Sequence, residues 1–163
     1  MPPPPSRIAE DLPILPIGDS DVPGVSRIIA LANNENVEAP SAAVQAACAA
    51  SSASSNWYPD VSATHLRSAL AAVYPHIDAA HMVVGVGAGE LIFLLTQAFC
   101  NPGDETIMGE HGYLYFGIAT QAVGATPIRA GASGGGNHLG FDVDAVLDAV
   151  TPRTRIVFLD NPS

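Results

Sequence analysis

Glycines 85, 87 and 89 stand between two apolar runs, Met82-Val83-Val84 and Leu91-Ile92-Phe93-Leu94-Leu95. Glycine adopts backbone angles barred to other residues, so successive amide N–H groups can converge where a helix begins. Together with the positive end of the helix dipole, such amides make a seat for an anion, and a phosphorylated ligand is the chemistry they imply. Glu90, in the first turn, complements the same dipole. Arginines 7, 27, 67, 129, 153 and 155 account for all six Lys+Arg, so the chain contains no lysine. A P-loop nucleotidase is thereby excluded, because its phosphate grip requires one. The histidines at 65, 76, 81, 111 and 138 lack metal-ligand spacing and read as surface or loop residues, and no metal site is expected.

The elements that must position this loop follow from periodicity. Ser41 can cap an alanine-rich helix over about 42–53, and Ser62 a second one in which Leu66, Leu70 and Val73 recur at helical spacing. From about residue 81, apolar strands near 82–86, 105–109, 126–129 and 155–160 alternate with helical stretches near 89–99, 113–123 and 142–150. Asn101-Pro102-Gly103-Asp104 marks a return from helix to strand, and Asp142 can cap the last helix. This alternation predicts an α/β fold with three αβα layers and a mostly parallel sheet. Residues 1–40 read as an extended amino-terminal arm, starting in a proline-rich tail, and residues 41–163 as part of a larger domain. Gly131 to Asn137 reads as a flexible loop. The final strand runs into Asn161-Pro162-Ser163 at the edge where α/β proteins place binding loops, which reads as a fragment.

Composition narrows the partners. Sixteen acidic residues against six arginines give a formal charge of −10, so neither nucleic acid nor an anionic membrane is an expected partner. No apolar run approaches the roughly 18 residues that cross a bilayer, and the first residues carry no secretory signal. Cys48 and Cys100 have apolar, helix-like surroundings without a CxxC spacing and read as buried free thiols, which suits a cytoplasmic location.

Several segments, in order, resemble the amino-terminal half of the histidinol-phosphate aminotransferases, in the fold-type-I family of pyridoxal-phosphate (PLP) enzymes. They are Leu31-Ala-Asn-Asn-Glu-Asn36 with Ala39-Pro40-Ser41, Tyr58-Pro59-Asp60, Leu66-Arg67 with Ala69-Leu70, and Gly85-Val-Gly-Ala-Gly-Glu-Leu-Ile92. Phe99-Cys-Asn-Pro-Gly-Asp-Glu105, Tyr113 with Gly124-Ala125, and Thr151-Pro-Arg-Thr-Arg-Ile-Val-Phe-Leu-Asp-Asn-Pro162 complete the series, which covers roughly residues 25–163. Four positions depart from the family pattern: Val37 and Ala39 replace a proline and a glycine, Gly89 an aspartate or serine, and Gly112 a threonine.

The resemblance implies PLP as cofactor, with the amides of Ala88 and Gly89 on its phosphate and Tyr113 stacked on its ring. It implies that Tyr58 reaches the phosphate of a neighbouring subunit in a homodimer, and that Asn34, Glu35 and Asn36 close over the substrate. The activity implied is transfer of an amino group from L-histidinol phosphate to 2-oxoglutarate, giving imidazole-acetol phosphate and glutamate in histidine biosynthesis. That chemistry requires a Schiff-base lysine, so the chain is expected to be an inactive amino-terminal part of such an enzyme's large domain. The alternatives are a related aminotransferase of other substrate, a non-catalytic remnant of the fold, and a dinucleotide-binding oxidoreductase module. For the last, Gly85-Val-Gly-Ala-Gly resembles the phosphate fingerprint and Glu110 the ribose-binding acid, although Glu90 replaces the third glycine.

Overall fold

A computed structural model of the chain describes residues 6–13, 23–29, 34–131 and 141–161. The proline-rich tail, parts of the expected arm, most of the Gly131–Asn137 loop and the last two residues lie outside the described residues. Two compact units are present, Met1–Leu15 with Gly85–Ser163, and Pro16–Val84.

The first unit carries the sheet. Strands β1 (Glu105–Gly109), β2 (Thr126–Ala130) and β3 (Thr154–Val157) lie in the order β2-β1-β3, and both pairs are parallel. Central β1 buries side chains on both faces, as a strand covered by helices on two sides must. Met108 faces Ile92 of α4 (Gly87–Phe99) and Phe116 and Ala119 of α5 (Leu114–Ala122). Ile107 faces the other way, onto Ala130 and onto Val146 of α6 (Val143–Asp148). Both side chains are fully buried, each contributing about 1.5–3 kcal/mol of apolar transfer free energy. Helices on both faces of a parallel sheet are the αβα layering expected from the alternation. A short helix, α1 (Arg7–Asp11), begins at Ser6, whose hydroxyl accepts from the Ala9 amide at 3.3 Å.

Polar residues on β1 are paired. Thr106 and Thr120 share a buried hydroxyl–hydroxyl bond of 2.8 Å between strand and α5. Buried Glu105 accepts from the Thr151 hydroxyl and the Arg153 guanidinium, closing the start of β1 against the approach to β3. The expected turn at Asn101–Asp104 forms: Gly103 has φ +92°, and the Asp104 carboxylate accepts the Asn101 amide at 2.8 Å. Asp142 caps α6 as expected, accepting from the Ala145 amide at 3.0 Å.

The second unit holds α2 (Ala42–Ser52), α3 (Thr64–Val73) and a 3-10 turn at Ala79–His81. Ser41 caps α2 through the Val44 amide, as expected. The Arg67 guanidinium spans from α3 to the Ala79 carbonyl, its Nε donating at 2.8 Å.

Several expectations are corrected. The cap of α3 is Asp60, not Ser62: the Asp60 carboxylate accepts from the amides of both Ser62 and Thr64, and Ala63 takes the left-handed N-cap position. A carboxylate placed two to four residues upstream captures amides that a hydroxyl adjacent to the helix does not reach. Residues 82–86 form no ladder with any described residue, the chain bends at Val86, and Val83 and Val86 are 75% and 88% exposed. Strand propensity there lacks a partner edge, and a strand exists only through its neighbour. Strand β3 ends at Val157, although the Phe158 amide still donates to the Ile107 carbonyl at 2.8 Å. Cys48 is exposed, because α2 buries none of its residues, whereas Cys100 is buried and burial pushes its thiol pKa up.

Candidate functional site

Helix α4 opens inside the glycine run, two residues earlier than periodicity indicates. Gly87 takes φ +75°, a left-handed angle that turns the chain sharply into the helix, and its amide bonds back to the Gly85 carbonyl at 2.9 Å. The Glu90 carboxylate folds back to accept the Val86 amide. Gly85 makes room for this: a Cβ there would lie 2.6 Å from Glu90 Oε2 and 3.0 Å from Leu91 Cδ2. Ala88 and Gly89 follow as the second and third helical residues. Their amides donate to no described group, as the opening turn of a helix requires unless something outside it accepts. Two free donors thus stand at the positive end of a 13-residue helix, with Glu90 having claimed only the amide before it.

Tyr113 is the N-cap residue of α5 and is 46% exposed. Its ring stacks on Tyr115, with centroids 5.4 Å apart and planes 13° from parallel, and meets Phe116 edge-on at 5.8 Å. Tyr115 in turn packs over the start of α4: its Cε1 would lie 3.2 Å from a Cβ on Gly89. The glycine at 89, where the family pattern carries a side chain, therefore accommodates a tyrosine ring. Tyr115 thus stands between the start of α4 and Tyr113. Gly112 is likewise closely packed, since a Cβ would meet the Gly109 carbonyl at 3.1 Å in the turn that leads from β1 to Tyr113.

Asp160, beyond the end of β3, accepts the Tyr113 amide on Oδ2 at 3.0 Å. Its Oδ1 is buried with no partner among the described residues. Neither Tyr115 nor Asp160 emerges from sequence alone. The Tyr113-x-Tyr115 spacing and an acid at the carboxyl end of a parallel strand were the available signals.

The other expected site residues belong to the second unit. Tyr58 is 98% exposed. Asn34 has φ +53°, the Asn36 side chain accepts the Glu38 amide at 3.0 Å, and all of Asn34, Glu35 and Asn36 are exposed. Glu110, the acid of the dinucleotide alternative, is exposed, and its carbonyl accepts from Arg129 at 2.8 Å. No group of three or more His, Cys, Asp or Glu that could hold a metal occurs among the described residues.

Residues 26–163 match the family described as aminotransferase class I and II. The chain is 41% identical over 146 residues to a histidinol-phosphate aminotransferase of Paramagnetospirillum magneticum, which covers 90% of this chain and 39% of that protein. It thus spans about two fifths of the length of the curated relatives it matches. Among solved structures, N-succinyldiaminopimelate aminotransferase from Mycobacterium tuberculosis superposes with a TM-score of 0.64 at 30% identity, over 74% of this chain and 33% of that one. A histidinol-phosphate aminotransferase from Sinorhizobium meliloti, solved in complex with pyridoxal-5'-phosphate, superposes with a TM-score of 0.60 over 68% of this chain and 28% of that one. At 19% identity it shares the fold.

Proposed function

The chain belongs to the class I and II aminotransferases, and on that premise we propose that the opening of α4 holds the phosphate of PLP while Tyr113 lies against its ring. The observation that carries this reading is the pair of free amides at Ala88 and Gly89, reached through Gly87 at φ +75°, beside a stacked pair of tyrosines. A dianionic phosphate gains two N–H donors and the helix dipole at one end. The flat face of Tyr113 matches an aromatic ring at the other. Family membership displaces the dinucleotide alternative.

The chemistry the cofactor supplies when bound is carbonyl capture of an amine and delocalisation of the electrons left on a substrate carbon. What these residues do is bind and orient. Ala88 and Gly89 fix the phosphate end, Tyr113 sets the ring plane, and Tyr115 keeps Tyr113 parallel to itself. Since all six basic residues are arginines, the 163 residues hold such a ligand without a lysine adduct.

The activity that suits the relatives is transfer of the amino group of L-histidinol phosphate to 2-oxoglutarate, a step of histidine biosynthesis, in a cytoplasmic homodimer. In that assembly Tyr58 reaches the neighbouring subunit's phosphate, and Asn34, Glu35 and Asn36 close over the substrate. By itself the 163-residue chain binds cofactor and does not turn over. The segment before residue 41 serves as an arm, and residues 41–163 as part of the large domain.

The test uses pyridoxine 5'-phosphate, which lacks the aldehyde, and inorganic phosphate in parallel titrations. The chain is expected to bind the pyridoxine ester more tightly than phosphate, and Tyr113→Ala to remove about tenfold of that preference, the scale of one aromatic stack. Equal affinity for both, or tighter binding of NAD, refutes the reading. Borohydride reduction after incubation with PLP is expected to leave no pyridoxyl group on any internal side chain.

A further inference from the structure

We infer that Asp160 is a positioning residue that holds Tyr113 in place for the ring it faces. The inference rests on the reading that Tyr113 meets a cofactor ring, and it assigns to Asp160 a role that reading does not contain. The chain leaves β1 through the Gly109–Gly112 turn, closed by the Gly112 amide on the Gly109 carbonyl at 3.0 Å. Tyr113 follows at once as the N-cap of α5, its carbonyl accepting the Phe116 amide at 3.0 Å. An N-cap amide has no acceptor within its own helix, so the Tyr113 N–H must be satisfied from elsewhere. The Asp160 carboxylate does so from 47 residues away in sequence, at 3.0 Å.

The same length of chain grips the first turn of α5 a second time. Phe158 stacks on Phe116 with centroids 4.5 Å apart and planes 7° from parallel, and Phe116 and Tyr113 pack at right angles, 87° between planes. The extension of β3 therefore fixes both the backbone and the ring of Tyr113, one through Asp160 and the other through Phe158 and Phe116. From Tyr113 the contact passes through Tyr115 to Gly89. With Asp160 removed, the Tyr113 amide loses its acceptor and the residue can rotate off the stack while β1, α4 and the amides of Ala88 and Gly89 stay as they are. An acceptor is what the latch requires, and a carboxamide oxygen supplies one as a carboxylate does.

Two variants and two readouts test this. Amide hydrogen exchange at Tyr113, followed by NMR, reports the latch itself. Affinities for pyridoxine 5'-phosphate and for inorganic phosphate report its consequence. Asp160→Ala is expected to speed Tyr113 exchange by about tenfold or more and to weaken pyridoxine 5'-phosphate binding by about tenfold, with phosphate affinity unchanged. Asp160→Asn is expected to restore both. A folded Asp160→Ala protein with wild-type exchange at Tyr113, or an equal loss of affinity for both ligands, overturns the inference. Should Asp160→Ala fail to fold, Asp160→Asn decides: wild-type exchange and affinity support the latch, and loss of both refutes it. A wild-type chain that binds the two ligands equally refutes the cofactor reading instead, and exchange at Tyr113 still judges the latch.

Discussion

Single atoms decide the cradle. Gly87 and Gly85 are constrained for different reasons. A Cβ on Gly87 would touch nothing within 4 Å, so its need is torsional, set by φ +75°. Gly87→Ala is expected to cost about 1–2 kcal/mol in chemical denaturation, the penalty of a left-handed angle for a residue with a side chain. At Gly85 the need is spatial, set by the Glu90 carboxylate and Leu91. Gly85→Ala is therefore expected to destabilise less in a Glu90→Ala background than in the wild type, with a coupling of about 0.5 kcal/mol or more in a double-mutant cycle. Additive effects would show that the carboxylate does not occupy the space Gly85 leaves. At Gly89 the missing side chain is matched by the Tyr115 ring, a substitution of one residue's volume for another's across two helices.

Among the elements, β1 organises the unit, and its first residue ties three segments together. The Thr151 hydroxyl above all, and the Arg153 guanidinium with it, hold the Glu105 carboxyl below its ordinary value of 4.5. Because the folded value is the lower one, the stabilisation is fully present above the unfolded value and disappears as pH falls through the folded one. Glu105→Gln is accordingly expected to melt below the wild type at neutral pH, with the gap narrowing once pH drops under about 4.5. Melting curves at pH 7 and below pH 4 check this, and a gap that does not change with pH would exclude the ionised carboxylate as its source. Helix α6 depends on one cap in the same way, Asp142, whose loss by such substitutions typically costs about 1 kcal/mol.

At the scale of the molecule, apolar surface remains uncovered in both units. Trp57, Tyr58 and Val61 are exposed in one, and Val157 and Leu159 on and beyond β3 in the other. Both outer strands, β2 and β3, have one edge unpaired among the described residues. Patches and edges of this kind promote association. Sedimentation velocity over a concentration series is expected to show self-association, and a monodisperse monomer at every concentration would count against the homodimer proposed for the family assembly. No helix among the described residues is long and apolar enough to cross a membrane.

Local pattern alone determined much of this architecture. Strands β1 and β2, helices α2, α4, α5 and α6, the caps Ser41 and Asp142, and the 101–104 turn were all legible, because each depends on periodicity and on neighbours within a few residues. So was the glycine turn that opens α4, whose geometry is written in consecutive residues, and so was the family, carried by motifs in order. Tertiary structure alone decided the rest. Residues 82–86 have a strand's composition and no ladder, since pairing requires another segment's backbone. Tyr115 over Gly89, Asp160 on the Tyr113 amide, and Glu105 between Thr151 and Arg153 join residues 26 to 48 positions apart. Contacts at such separations are chosen by how helices settle on the sheet, and nothing in local spacing encodes them.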